Sequence, residues 1–326
     1  MLLGQLPYKT KQLFLLLIKL IIEVGAFYFI YQKLTTNEHL NFNVFIAFIK
    51  EHHVFSTQNI VFLLFLTLIN WCFEILKWKN LVSVVKPISF FEALKQSLAS
   101  LTASLFTPNR IGDYAAKTIY FSGQLKKKVV LLNLIGNISQ MLMTLLFGIV
   151  GVFMFTSQYE VDISYYKLVR LLTYTLIGIV AIGFGVTHKR FQIKGFSFSK
   201  IWAFVKGLSA KMHIKNILLS LFRYVIFSFQ FYYLFVLFGV DITYIDAMVL
   251  ISTMYLVVSV IPTIFIFDVV VKGSVALYVF GFADINNITI LCVTTLMWLL
   301  NFVLPSIFGS YSVLNFNLPL ASNFDD

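Results

Sequence analysis

Leu105-Phe106-Thr107-Pro108-Asn109-Arg110-Ile111-Gly112-Asp113-Tyr114-Ala115-Ala116-Lys117 decides the reading of this chain, because it is a charged, proline-broken stretch inside otherwise apolar sequence. A fainter copy follows 154 residues later, around Pro262. Ile88-Ser89-Phe90-Phe91-Glu92-Ala93 leads to Pro108, and Ile242-Thr243-Tyr244-Ile245-Asp246-Ala247 leads at the same spacing to Pro262. After each proline come a carboxylate and, four residues on, a lysine: Asp113 with Lys117, then Asp268 with Lys272. Broken apolar segments at corresponding places in two halves of a chain are the pattern of a membrane transporter made of internal repeats.

Composition sets the class. The 326 residues are 59% hydrophobic and 12% charged, with a mean hydropathy of +0.87. Water-soluble domains are about half apolar and about a quarter charged. The net charge of +11 sits in short loops between apolar runs, where it sets orientation, so no nucleic-acid partner is expected. Cys72 and Cys292 lie in apolar stretches and read as small core residues. His39, His52, His53, His188 and His213 lack zinc-binding spacing and read as solvated, so neither a metal nor a cofactor is expected.

Six runs are long enough to cross a bilayer: about 13 to 31, 58 to 77, 129 to 156, 168 to 187, 216 to 239 and 287 to 314. Pro108 and Pro262 each divide a pair of shorter segments between these. Ala93 to Thr107, as a helix, reaches about 22 Å against about 30 Å of hydrocarbon, and it carries small residues at four-residue spacing. It reads as one limb of a re-entrant hairpin. The later copy, 246 to 282, reads either as a second hairpin or as two full spans. The expected fold is therefore all-α: a single polytopic membrane domain over 1–326, with repeat halves of about 58–156 and 216–314 and a connector span at 168–187.

Loop charge orients it. The segments 77 to 95, 126 to 128 and 188 to 215 are basic and belong on the cytoplasmic side; 157 to 165, 240 to 246 and 282 to 288 are acidic or nearly neutral and face outward. Both termini are then cytoplasmic, in an inner membrane, and the two hairpins enter from opposite faces. Stretches 41 to 55 and 196 to 215 read either as surface amphipathic helices or as ordinary connectors.

Charges inside a membrane need a partner or a function. Asp113 with Lys117, and Asp268 with Lys272, have the four-residue spacing of a neutralised pair, as do Lys19 and Glu23. Arg110 stands at the start of the returning half-helix, where free backbone N–H groups favour an anion and a guanidinium adds a two-pronged grip. Gly112 permits close approach. Pro108, Arg110, Gly112, Asp113, Lys117, Asp268 and Lys272 are thus the candidate substrate-binding residues. Asn133, Asn137 and Gln140 share one helix face, as do Arg223 and Gln230; each set either lines a polar path or joins neighbouring helices.

The stretch from Leu105 to Asp113 resembles the Pro-Gly-Arg-x-Gly-Glu signature of the transmembrane region of lysylphosphatidylglycerol synthases and their flippase-like relatives. Pro262 to Gly273 takes the place of that family's second, glycine-rich motif, and the span order is similar over roughly 10 to 315. Two departures are Asn109 for a glycine, and Thr263, Ile264, Phe265 and Ile266 where the second motif has glycines. The resemblance implies movement of an anionic phospholipid or a lipid-linked saccharide between leaflets, with Pro108, Arg110, Gly112 and Asp113 at the site. It covers no soluble aminoacyl-transferring domain, so lysine transfer is not expected. A lipid-modifying transferase is the alternative, but no catalytic constellation is present in the sequence; a non-transporting assembly protein is the other.

Overall fold

A computed structural model describes residues 56–104, 111–123, 125–159, 198–260 and 268–314. The expected spans at 13–31 and 168–187, the Lys19–Glu23 pair, Pro108, Arg110, Pro262 and the stretch 41–55 lie outside the described residues.

The described residues are helical and fall into two groups. The first holds α1 (Thr57–Val82), α2 (Phe90–Ser104), α3 (Ile111–Ile119) and α4 (Leu125–Gln158). A short α5 (Phe198–Lys206) precedes the second group, which holds α6 (Ala210–Leu237), α7 (Tyr244–Val260), α8 (Asp268–Gly281) and a last helix in two parts, α9 (Asn287–Trp298) and α10 (Leu304–Leu314), joined by a π-helical turn at Leu299–Val303. Each group runs long, short, short, long. Four helices are long and apolar enough to cross a bilayer: α1, α4, α6 and the Asn287–Val313 helix. They coincide with four of the six expected spans. Lys211 and Lys215, placed in a basic loop by the sequence, belong instead to the first turns of α6.

Local chemistry explains the helix starts. Ser56 caps α1, Ser209 caps α6 and Asn286 caps α9, each accepting a bond from a backbone N–H of the first turn. The Ser89 hydroxyl accepts from the Glu92 N–H at 3.2 Å while Glu92 accepts from the Ser89 N–H at 2.7 Å. That is a capping box, and the Ser89 N–H holds Glu92 below the usual carboxylate range. At α7, Thr243 accepts from the Asp246 N–H at 3.2 Å and donates to its carboxylate at 2.6 Å. The faint echo between residues 88 and 242 is thus a pair of helix-start signals, each followed by a fully buried alanine, Ala93 and Ala247.

Packing between the groups is reciprocal. α1 lies against α6; α4 packs on α7 as α10 packs on α2; α4 touches α6 as α1 touches the π-helical turn. α1 and α6 run antiparallel, since Asn80 donates to the Met212 carbonyl at one end and Tyr233 donates to Asn59 at the other. α4 and α6 run parallel, with Asn216 bonded to Ser139 and Tyr224 stacked on Phe147 at 4.6 Å. Among the described residues, apolar packing has two large centres and a smaller one of Leu81, Leu132, Leu208 and Met212. One large centre gathers Phe231, Phe235, Leu250, Ile251, Met254, Phe280 and Val293; the other gathers Ile75, Trp78, Val82, Ala93, Phe121 and Val129. On the outside, α4 presents Ile138, Met141, Ile149, Val150 and Phe153, which suits a lipid-facing ridge.

Candidate functional site

α3 begins with Asp113 in its first turn and ends with Lys117 in its last, the arrangement the helix dipole favours at both ends. Lys117 Nζ meets Asp113 Oδ1 at 3.0 Å, as the spacing predicts. A third partner comes from α4: Lys117 donates to Asn133 Oδ1 at 2.8 Å, and Asn133 Nδ2 donates to Asp113 Oδ2 at 2.7 Å. The ring of three is closed and nearly dry, with Lys117 and Asn133 both 3% exposed. Above it, the Trp78 ring lies 4.6 Å from Lys117 Nζ, and the Trp78 N–H donates to Gln96 at 2.8 Å. All four helices of the first group therefore meet at one charge. Asn137 continues the face by donating to Tyr114 Oη at 2.9 Å. Gln140 Oε1 is buried with no hydrogen-bond partner among the described residues.

A second charged cluster joins the two groups. Glu74 Oε2 takes both Lys77 Nζ and Arg223 Nη1, each at 2.7 Å. The sequence reading put Lys77 in a basic loop. It is instead 2% exposed, because α1 runs on to Val82. Arg223 thus reaches a carboxylate of the other group rather than the membrane surface.

A third cluster is made of amides. Asn70 donates to Asn301 at 2.8 Å, Asn301 donates to Gln230 at 2.9 Å, and Gln230 donates to Thr67 at 2.9 Å and to the Leu63 carbonyl at 3.1 Å. Asn301 lies in the π-helical turn, whose carbonyl accepts from the Trp71 indole at 3.2 Å. Such turns concentrate at functional positions because they offer side chains and carbonyls that a regular helix would conceal. Asn301→Leu removes the node and strands two amides. At about 0.6–1.7 kcal/mol per interhelical bond in a membrane, the expected cost is about 2 kcal/mol, read as a lower thermal midpoint in detergent.

Thr67, Asn70, Trp71, Glu74, Lys77 and Trp78 form one stripe along α1 that links the three clusters. Glu74, Asn70, Gln96 and Asn301 were missed in the sequence reading. The signal for Asn70, Glu74 and Lys77 was present, as polar residues at i, i+4 and i+7 within an apolar run; Asn301 and Gln96 carried none. In the second group, Lys272 Nζ lies 4.8 Å from the Phe302 ring. The side chain of Asp268 lies outside the described residues. Gly112 and Gly273 are buried against their neighbours. His213, read as solvated, is partly buried with Nε2 3.4 Å from the Val205 carbonyl.

No protein-family model, curated protein or solved structure matches this chain.

Proposed function

We propose that this chain is a membrane transporter that moves a lipid with an anionic head group, a phospholipid or a lipid-linked saccharide, between leaflets. The observation that carries this reading is the pair of four-helix groups packed reciprocally around buried charges, with α1 and α6 antiparallel. An inverted repeat has this form, and one half rocking against the other gives alternating access to a midplane site. Buried ions are costly in a bilayer and mark a pathway more often than ornament. The short α2 is 15 residues, about 22 Å as a helix, which fits a hairpin limb. With 13–31 and 168–187 as further spans, both termini are cytoplasmic and the membrane is the inner one.

In this mechanism the head group enters beside Pro108, Arg110 and Gly112 while the tails stay in lipid. Asp113 and Asn133 hold Lys117 and thereby fix the returning helix α3 on α4. Lys272 holds the corresponding place in the second half. The resemblance of Leu105–Asp113 to the flippase-like transmembrane region supports the same substrate class.

The test is a leaflet-sidedness assay in proteoliposomes with fluorescent phosphatidylglycerol. Wild type is expected to expose inner-leaflet label to an external quencher at least tenfold faster than protein-free vesicles, and Arg110→Ala to lose most of that rate. Equal rates with and without protein would overturn the reading. Conversion of the lipid to a new species by mass spectrometry would point to a transferase instead, and neither signal to an assembly role. Cysteine labels at Glu160 and Lys206 should react from opposite sides; reaction from one side would refute the inverted arrangement.

A further inference from the structure

We infer that Lys77 and Arg223 form an oxyanion site whose resident occupant is Glu74, and that an anionic group binds by displacing that carboxylate. This rests on the transporter reading for its biological sense, but its geometry stands on its own. Both cations meet the same oxygen, Glu74 Oε2, at 2.7 Å, one from within α1 and one from α6. A carboxylate gripped this way occupies the position a phosphodiester oxygen would take, and a guanidinium binds either anion with the same fork.

Charge supports exchange. Among the described residues of the two clusters, Lys77, Lys117 and Arg223 face Glu74 and Asp113, three positive side chains against two negative. A buried site richer in cations than in carboxylates favours an anionic ligand over a neutral one. Polar atoms for such a ligand are also present. Ser220, fully buried and three residues before Arg223 on its helix, has a hydroxyl with no partner among the described residues. Asn70 Oδ1, one turn before Glu74, and Gln140 Oε1 lack partners in the same sense. Gln140 lies one turn beyond Gly136, where an added Cβ would crowd Leu81 Cδ1 at 2.8 Å and only touch Lys77 Cε at 3.8 Å. Buried groups left unmade cost about 1–3 kcal/mol each; the Ser220 hydroxyl can donate to an incoming oxyanion, whereas the two amide oxygens, being acceptors, can bond only to water that enters with it.

Displacement has a structural consequence. Glu74–Arg223 is the one ion pair between the two helix groups among the described residues. An anion that takes Arg223 releases this ion pair, and α1 and α6 are then held by their apolar packing and by the Asn80–Met212, Tyr233–Asn59 and Gln230–Thr67 bonds.

Binding is measured as thermal stabilisation of the full chain in detergent, titrated with phosphatidylglycerol, phosphatidylcholine or inorganic phosphate. Wild type should respond to phosphatidylglycerol and not to phosphatidylcholine. Glu74→Gln removes the resident anion and keeps the shape, so the apparent affinity for phosphatidylglycerol should rise about tenfold, equivalent to about 1.4 kcal/mol. Arg223→Gln should lower it by a similar factor, and Arg223→Lys should recover part of the loss, which separates charge from folding. A response of Glu74→Gln to phosphate as well assigns a soluble oxyanion as ligand; a response to phosphatidylglycerol alone assigns a lipid. Unchanged or weaker affinity in Glu74→Gln overturns the inference. Lipid movement enters none of these readouts: a wild type that binds but does not move lipid sinks the transporter reading alone, and one that moves lipid with Glu74→Gln affinity unchanged sinks this site alone.

Discussion

Asp113→Ala should lower stability by about 3–5 kcal/mol, the range for removing one partner of a buried ion pair. Lys117 is 3% exposed and would be left with Asn133 Oδ1 and the Trp78 face. A cation–π contact contributes about 1–2 kcal/mol when desolvated, too little to offset a buried ammonium without its counterion. Asn133 Nδ2 would lose its acceptor as well. The double variant Asp113→Leu/Lys117→Met removes both charges and should recover most of the loss, since an apolar pair of similar volume is often neutral. Thermal unfolding in detergent reads both. A single variant as stable as wild type would show that Lys117 finds water, and the closed ring of Asp113, Lys117 and Asn133 would lose its structural role.

Gly309→Ala should cost about 3 kcal/mol, at the upper end of the overpacking range. The added Cβ would fall on the Leu98 carbonyl and the Thr102 hydroxyl, where α10 crosses α2. Neither can yield readily: the carbonyl is helix backbone, and Thr102 Oγ1 is already committed to the Leu98 carbonyl at 3.2 Å and the Ser306 carbonyl at 3.0 Å. Gly151 occupies the reciprocal crossing of α4 on α7, where a Cβ would meet the Ser252 hydroxyl first. That oxygen is also bonded to two carbonyls, of Met248 at 2.6 Å and Val249 at 3.2 Å. The nearest backbone atom, Thr253 N, stands off at 3.1 Å, so Gly151→Ala should cost less, about 2 kcal/mol, the middle of the same range. A Gly309→Ala midpoint equal to that of Gly151→Ala would mean that α2 shifts freely and the crossing is not rigid.

The glycine pair illustrates what a sequence conceals. The small-residue spacing in Ala93 to Thr107 pointed to close packing, but not to the partner, which is a helix some 200 residues further on. The same holds at the charges. Asp113 with Lys117 was legible because both lie on one short helix, four residues apart. Lys77 reads as a loop charge because the apolar run ends there, whereas α1 continues five residues further. Arg223 was legible as an intramembrane charge, yet its partner Glu74 is on another helix. Asn70 and Asn301 are 231 residues apart, and no local spacing relates them.

The amino-acid sequence by itself determined the helices and where they begin. Apolar run length, capping residues such as Ser89 with Glu92 and Thr243 with Asp246, and the pairing of Asp113 with Lys117 are set within a turn or two, where the relevant forces act between neighbours. Only the tertiary structure decided that α1 carries a continuous polar stripe, that Glu74 is shared by Lys77 and Arg223, and that Asn301 in a π-helical turn closes the amide chain. The reason is physical: a buried charge or amide can be satisfied by any helix that reaches it, and which one does is fixed by how helices cross, a property of the whole packing rather than of any segment.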